Sequence, residues 1–347
     1  MTDLLSRYAE CLFWFGRYTE RATCLARLLE VQTSFDRGHA GVTTNWSWIL
    51  ALYDDHDQFN KSYETADTQS VIQFYVSDRD NPGSIVYCIN AARENARTLR
   101  ALLPTELWQQ VNTFYNRFRS LPAEALTSNR LANTCQLVKK ECYAQLGVAE
   151  ETIYRDEAWH FFRLGVLVER ADQMSRLLDV RFAQSKTEEQ INRDALGDFG
   201  FWSVLLRSTA AQQAFLRTSA GKRDPETVAR FLIFDNSLPR SITFCISELD
   251  RVINELRSEY NLRGAARSLE QVDIVRQLLE VASEDPALVD NLHEFNDNVQ
   301  KHIISLTNEL AFAFFGVPRP DAQAISDLDA VWEEVSGGGQ SQSQSSG

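Results

Sequence analysis

The sequence contains few of the residues that interrupt helices. Only 8 of its 347 residues are proline and 15 are glycine, whereas β-sandwiches and β-barrels need both residues in their many tight turns. The apolar residues instead recur at the spacing of a helix. With a hydrophobic content of 44%, the chain is long and apolar enough to bury a substantial core. We therefore predict an all-α protein.

Cysteine is sparse, and a leader sequence and long apolar runs are absent. The six cysteines stand singly within apolar helical segments and form no C-x-x-C spacing, so we predict that they are reduced core residues. The amino-terminal segment has neither a basic leader nor a small-residue cleavage site. No segment approaches the run of about 20 apolar residues that spans a bilayer. These features predict a cytoplasmic protein that does not enter a membrane.

Motifs for metal, nucleotide or serine-hydrolase chemistry are also missing. The five histidines form no H-x-x-x-H or H-E-x-x-H spacing, and the sequence has no G-x-G-x-x-G, Walker or G-x-S-x-G motif. We therefore predict no metal site and no cofactor. The chain has 48 acidic and 35 basic residues and a net charge of -13, which repels phosphate backbones. Nucleic acid is not an expected partner.

The sequence repeats itself. AECLFWFGRYTERATCLARLLEV (9–31) aligns without gaps with AWHFFRLGVLVERADQMSRLLDV (158–180), and the stretch from Asp67 aligns with the stretch from Asp224. We therefore predict a helical bundle of two tandem repeats related by a pseudo-two-fold axis. The predicted repeats are residues 1–150 and 151–336, with the extra length of the second repeat in 184–197. A Gly/Gln/Ser tail, residues 337–347, is predicted to be disordered.

The periodicity also predicts where individual helices lie. Proline needs no amide donor at a helix start, so helices are predicted to begin at Pro82 and at its counterpart Pro239. The other helices are predicted near residues 2–35, 46–57, 65–76, 105–120, 128–146 and 292–315.

The first helix of each repeat carries a Glu-Arg pair in an otherwise apolar sequence. Phe13, Gly16, Glu20 and Arg27 fall along one stripe, and the glycine permits another helix to approach closely. A carboxylate buried there needs a cationic partner. Adjacent residues on a helix do not face each other, so the candidate partners of Glu20 are Arg27 and, from the other repeat, Arg170.

We predict that the two long helices pack centrally and share a Glu/Arg network. Its members are Glu20, Arg21, Arg27, Glu169, Arg170 and Arg176. Two interpretations stay open at this point. The network either fixes the register of the helices or forms the polar floor of a binding site. Shifted pKa values do not distinguish the two, because both kinds of network perturb ionisation.

A second polar group follows Pro82 and differs between the repeats. It consists of Arg93, Glu94, Asn95, Arg97 and Arg100. Arg93 and Arg97 share a helix face and can grip a carboxylate or phosphate with two guanidinium groups. The alternative is an ordinary solvated face with internal ion pairs.

Several segments together resemble the bacterial alpha-E family. They are FGRYTERA, LGVLVERADQMSRLLDV, ARENARTLR, ELWQQVN and FLIFDNSLPRSITFCI, and the resemblance covers about residues 4–316. The Glu-Arg pairs that characterise the family correspond to Glu20-Arg21 and Glu169-Arg170. One departure is LPRS in the second repeat, which aligns with NPGS in the first.

The resemblance implies a role in peptide or amide ligation. Members of the family are encoded beside, or fused to, circularly permuted ATP-grasp proteins and transglutaminase-like proteins, which are therefore the expected partners. Three hypotheses follow: an accessory component without its own chemistry, a transferase or ligase component that uses the Glu/Arg cluster, or a module that binds an acidic metabolite through Arg93 and Arg97. A solidly packed centre favours the first. A pocket that joins Arg93 to Glu20 or Glu169 favours the others.

Overall fold

A computed structural model describes residues 4–38, 46–188, 198–219 and 224–319. Within these ranges the chain forms fourteen α-helices and two short 3-10 helices, and no strand. None of these helices is both long enough and apolar enough to cross a membrane. The prediction of an all-α fold is confirmed.

The helices follow one another along the chain with short connections. The first seven are α1 (Ser6–Gly38), α2 (Ser47–Tyr53), α3 (His56–Asn60), α4 (Thr68–Val76), α5 (Ile85–Thr98), α6 (Thr105–Arg119) and α7 (Leu131–Thr152). The next seven are α8 (Glu157–Glu188), α9 (Asp198–Ser208), α10 (Gln212–Thr218), α11 (Pro225–Phe234), α12 (Ile242–Glu259), α13 (Ala266–Glu284) and α14 (Leu292–Phe314). The 3-10 helices are Ala123–Leu126 and Arg263–Ala265. We call α1–α7 the first half and α8–α14 the second half.

Helices α1 and α8 lie at the centre of the bundle. They share a larger interface than any other pair of described elements; α1 is flanked by α5 and α7, and α8 by α12 and α14. Apolar side chains cover most sides of both helices, as the sequence pattern requires of buried helices. The predicted central packing of the two long helices is confirmed. Their relation by a pseudo-two-fold axis, and the division into repeats at residue 150, stay predictions.

Two glycines allow α1 and α8 to approach each other at backbone distance. A Cβ atom added to Gly165 would lie 1.9 Å from the carbonyl oxygen of Phe13, and one added to Gly16 would lie 2.4 Å from that of Phe162. Any side chain at either position would therefore overlap the backbone of the opposite helix. The close approach expected at these glycines is present.

Serine, and not proline, begins the helices that follow Pro82 and Pro239. Helix α5 begins at Ile85, where the Ser84 hydroxyl accepts the Tyr87 N–H at 3.2 Å and donates to the Asp78 carbonyl at 2.5 Å. Ser241 caps α12 in the same way. The prediction that these helices begin at proline is wrong, because the hydroxyl satisfies an amide of the first turn and proline belongs to the preceding turn.

Other helix boundaries also differ from the predicted ones. The helix predicted over 46–57 is divided into α2 and α3 by Asp54, which adopts a left-handed backbone conformation with φ 55°. Helix α7 continues to Thr152, because nothing after Leu146 interrupts it. Residues 184–188 of the predicted connection belong to α8, and 189–197 lie outside the described residues. The tail 337–347 also lies outside them.

Candidate functional site

Glu20 of α1 is fully buried and is bound by two arginines of the second half. Its side chain has no solvent exposure. One carboxylate oxygen lies 3.1 Å from Nε of Arg170 on α8. The other accepts a hydrogen bond from Nη1 of Arg240, which immediately precedes the Ser241 cap of α12. Both oxygens therefore contact a guanidinium.

Glu169 of α8 is equally buried and is bound by two arginines of the first half. Arg21 donates to both carboxylate oxygens, from Nε at 2.6 Å and from Nη2 at 3.0 Å. Arg17 donates from Nε at 2.8 Å, and Gln173 adds an amide N–H at 3.1 Å. Bidentate Arg–carboxylate pairs of this kind are among the strongest polar contacts in proteins.

Each half thus supplies the arginines that pair with the buried glutamate of the other half. Sequence reasoning correctly identified Arg170 as a partner of Glu20. Arg17 and Arg240 were missed. The difference between LPRS in the second half and NPGS in the first was the one sequence feature that pointed to Arg240, because Gly83 stands at the aligned position. Arg17 lies three residues before Glu20, and no sequence feature distinguished it.

Two members of the predicted network have other partners. Arg27 was a candidate partner of Glu20, but it donates to the Tyr143 hydroxyl at 2.6 Å and forms no ion pair among the described residues. Arg176 binds Asp172 at 3.0 Å on its own helix. Arg27 therefore makes no direct ion pair with Glu20, because α7 presents a tyrosine to it while Arg240 occupies the carboxylate. Its charge nevertheless lowers the pKa of Glu20.

The arginines keep both buried glutamates ionised. Burial raises the pKa of Glu20, but Arg170, Arg240 and Arg27 outweigh burial and lower it to about 2. Burial also raises the pKa of Glu169, and Arg21 and Arg17 lower it to about 2. Neither carboxyl group carries a proton near neutral pH.

These depressed pKa values predict how stability depends on pH. The ordinary glutamate pKa is 4.5, above the folded-state value of about 2. The stabilisation is therefore complete above pH 4.5 and lost as pH falls towards 2, because the unfolded chain then binds more protons. The two groups together contribute a slope of up to about 2.7 kcal/mol per pH unit in this window. Urea unfolding at several pH values measures that slope.

The variant Glu169→Gln is the control for this pH dependence. It lacks one of the two titrating carboxyls, so its slope between pH 2 and 4.5 should fall by up to about 1.4 kcal/mol per pH unit relative to the parent chain. Equal slopes in the two proteins would show that Glu169 titrates alike in the folded and unfolded states.

A small cavity borders the cluster on the side of Glu20. Its volume is about 30 Å³, and it is partly open to solvent. Arg27, Arg170 and Arg240 contribute to its wall, together with Cys24, Leu28, Leu52, Tyr53, Gln173, Met174, Leu177, Ser208 and Thr209. Arg93 is not among the lining residues, so this cavity does not join it to the buried glutamates.

Most of the second candidate group lies on α5, where Arg93, Glu94 and Arg97 pair with one another. Glu94 binds Nη1 of Arg93 at 2.8 Å and Nη2 of Arg97 at 2.5 Å. The Arg93 guanidinium lies 4.6 Å from the ring centre of Tyr115. Asn95 is half-buried on the same helix, and the exposed Arg100 lies over Trp108 at 5.6 Å. Arg93 and Arg97, which were predicted to bind an anion together, are thus both paired with Glu94. This arrangement matches the alternative prediction of a solvated helix face with internal ion pairs.

The described residues contain neither a cysteine pair in a disulfide nor a cluster of metal-binding side chains. All six cysteines are free, and burial raises the pKa of Cys24 to about 11 and that of Cys88 to about 12. Both therefore carry protonated thiols near neutral pH. Across residues 4–38, 46–188, 198–219 and 224–319, no three His, Cys, Asp or Glu side chains are grouped to hold a metal ion.

The chain is similar to a named helical family and to mycobacterial proteins. The Alpha-E family model, described as a predicted alpha-helical domain with a conserved ER motif, matches residues 4–315. Uncharacterised proteins from Mycobacterium bovis and from two strains of Mycobacterium tuberculosis are 24% identical over 281 residues, which cover 76% of this chain and 31% of each relative. The chain thus spans about a third of the length of these curated relatives. No solved structure matches it.

Proposed function

The chain belongs to the Alpha-E family, and on that basis we propose that it is a helical accessory component of an ATP-grasp-linked peptide or amide ligation system. One observation carries the accessory role. Both glutamates of the Glu-Arg pairs are fully buried, and each is bound by two arginines. The cluster joins α1 to α8 and presents no reactive group.

General acid–base catalysis needs a group that reaches the substrate and has a pKa near the working pH. Glu20 and Glu169 meet neither condition, because they have no solvent exposure and their pKa values lie at about 2. A transferase or ligase that used this cluster would first have to separate several buried ion pairs. The packed centre therefore supports binding and assembly over catalysis.

The ligation context rests on the family resemblance. An ATP-grasp partner would activate a carboxylate as an acyl phosphate, which an amine then attacks. The helical protein would bind that partner, or hold the peptide or activated intermediate, in the cytoplasm where ATP is available. The mycobacterial relatives extend far beyond the aligned region, which supports a unit that works beside further protein sequence. A transglutaminase-like protein is a second proposed partner.

Reconstitution with a circularly permuted ATP-grasp protein tests this proposal. We expect the two proteins to co-purify, and we expect ATP-dependent condensation of a peptide carboxylate with an amine to require both. The helical protein alone should turn over neither ATP nor peptide. Turnover by the helical protein alone would favour the enzyme alternative. Ligation that proceeds equally well without it would exclude an accessory role in that step.

A further inference from the structure

Residues that line the cavity beside Glu20 carry three buried donor atoms without hydrogen-bond partners among the described residues. They are Nη1 of Arg27, Nε of Arg170 and Oγ of Ser208. Oε2 of Glu20, which lies 3.1 Å from Nε of Arg170, is an acceptor that also has no hydrogen bond within the described ranges. Arg27 and Ser208 are 4% and 5% exposed. Buried polar atoms in folded proteins normally have partners, so three unpartnered donors beside one unpartnered acceptor indicate a missing acceptor.

The charge around the cavity is also unbalanced. Arg27, Arg170 and Arg240 line it, and the carboxylate of Glu20 is the one anion that contacts this group of arginines in the described structure. The other glutamate of the cluster, Glu169, is bound by two other arginines. Three guanidiniums and one carboxylate leave two positive charges uncompensated in a largely buried setting, where an unpaired charge is unfavourable.

The titratable side chains of Cys24 and Tyr53, which also line the cavity, do not supply the missing negative charge. Burial raises the pKa of Cys24 to about 11 and raises that of Tyr53 well above its ordinary value. Both side chains are therefore neutral at physiological pH. The Tyr53 hydroxyl already donates to Gln173 at 2.9 Å.

We propose that this cavity binds one carboxylate group of a small molecule or peptide. Its volume of about 30 Å³ holds roughly two water molecules, which suits a carboxylate group. The planar guanidinium of Arg27 matches carboxylate geometry, and the Ser208 hydroxyl adds a neutral donor. That this carboxylate is the one to be ligated rests on the proposed function, whereas its binding does not.

The rest of the cavity wall indicates what the carboxylate is attached to. Leu28, Leu52, Met174 and Leu177 form the apolar part of the lining. Because the cavity is partly open to solvent, an aliphatic stem can pass along this wall while the head group contacts Arg27. Acetate is the smallest probe that carries both parts.

Titration of the full chain with carbon-13-labelled acetate, followed by NMR at constant ionic strength, tests the site. The parent chain should bind one acetate saturably. Arg27→Gln should weaken binding about ten- to hundredfold, as expected for loss of a charge-assisted hydrogen bond, and Ser208→Ala about fivefold, as for a neutral one. Arg97→Gln, which removes an exposed arginine bound to Glu94, should leave the affinity unchanged.

Several results would overturn the site. These are absence of saturable acetate binding to the parent chain, equal competition by chloride and sulfate, or unchanged affinity in a folded Arg27→Gln protein. Should Arg27→Gln not fold, Ser208→Ala and the parent chain still decide, since the serine change is small. Acetate binding without any effect of the protein on ligation would retain the site and reject the proposed function.

Discussion

Replacing Gly165 with alanine is expected to lower the free energy of unfolding by about 3 kcal/mol, the upper part of the usual range for overpacking. The new Cβ would lie 1.9 Å from the carbonyl oxygen, 2.8 Å from the carbonyl carbon and 3.1 Å from the Cα of Phe13. All three atoms belong to the backbone, so no rotamer change relieves the overlap. Helices α1 and α8 must move apart, and they form the centre of the bundle. Guanidinium or urea unfolding measures the loss.

Gly147→Ala is the matched control for this prediction. Gly147 also lies within a helix, α7, but a Cβ there would meet no described atom within 4 Å. The alanine should be neutral or should stabilise the protein by about 0.5–1 kcal/mol, because glycine is the poorer helix former. Similar losses in the two variants would show that the close contact between α1 and α8 does not hold in solution.

Glu20→Gln is expected to destabilise the protein by about 3–5 kcal/mol, the range for breaking a buried ion pair. Glutamine has nearly the same shape, so the change removes charge and leaves packing intact. Arg170 and Arg240 would then stay buried without a countercharge, their side chains being 13% exposed. Urea unfolding at pH 7 gives the free energy, and far-UV circular dichroism confirms that the variant is folded.

Glu94→Gln is the exposed counterpart of Glu20→Gln and shows how much of the lost stability depends on burial of the ion pair. Glu94 also binds two arginines, Arg93 and Arg97, but its side chain is 40% exposed. Exposed pairs contribute about 0.2–1 kcal/mol, so this variant should unfold at nearly the parental denaturant concentration. A loss at Glu20 no larger than that at Glu94 would contradict an interior held together by these ion pairs.

The parts of the fold that depend on local sequence could be predicted. Buried helical periodicity identified α1 and α8, and the glycine at the same place in each indicated a close crossing. Burial alone required an arginine for each glutamate, which led to Arg170. Helix starts were less certain because two local signals competed, and the Ser84 hydroxyl prevailed over Pro82.

The remainder of the site depends on tertiary geometry. Arg240 lies in a turn 220 residues from Glu20, and no periodicity indicates that this turn reaches α1. Arg27 lies on the expected stripe, yet α7 places Tyr143 within its reach. The cavity has no sequence signal, because its walls come from α1, α2, α8, α9 and the turn before α12. Such a space exists only once the helices have docked.

The exchange of arginines between Glu20 and Glu169 constrains how this protein can move. Rotation of one half against the other would withdraw Arg170 and Arg240 from one carboxylate and Arg17 and Arg21 from the other at the same time. Hinge motion at the α1–α8 seam would therefore break all of these ion pairs together. We expect any conformational response to a ligand or partner to come from the shorter peripheral helices, with the central pair as a fixed frame.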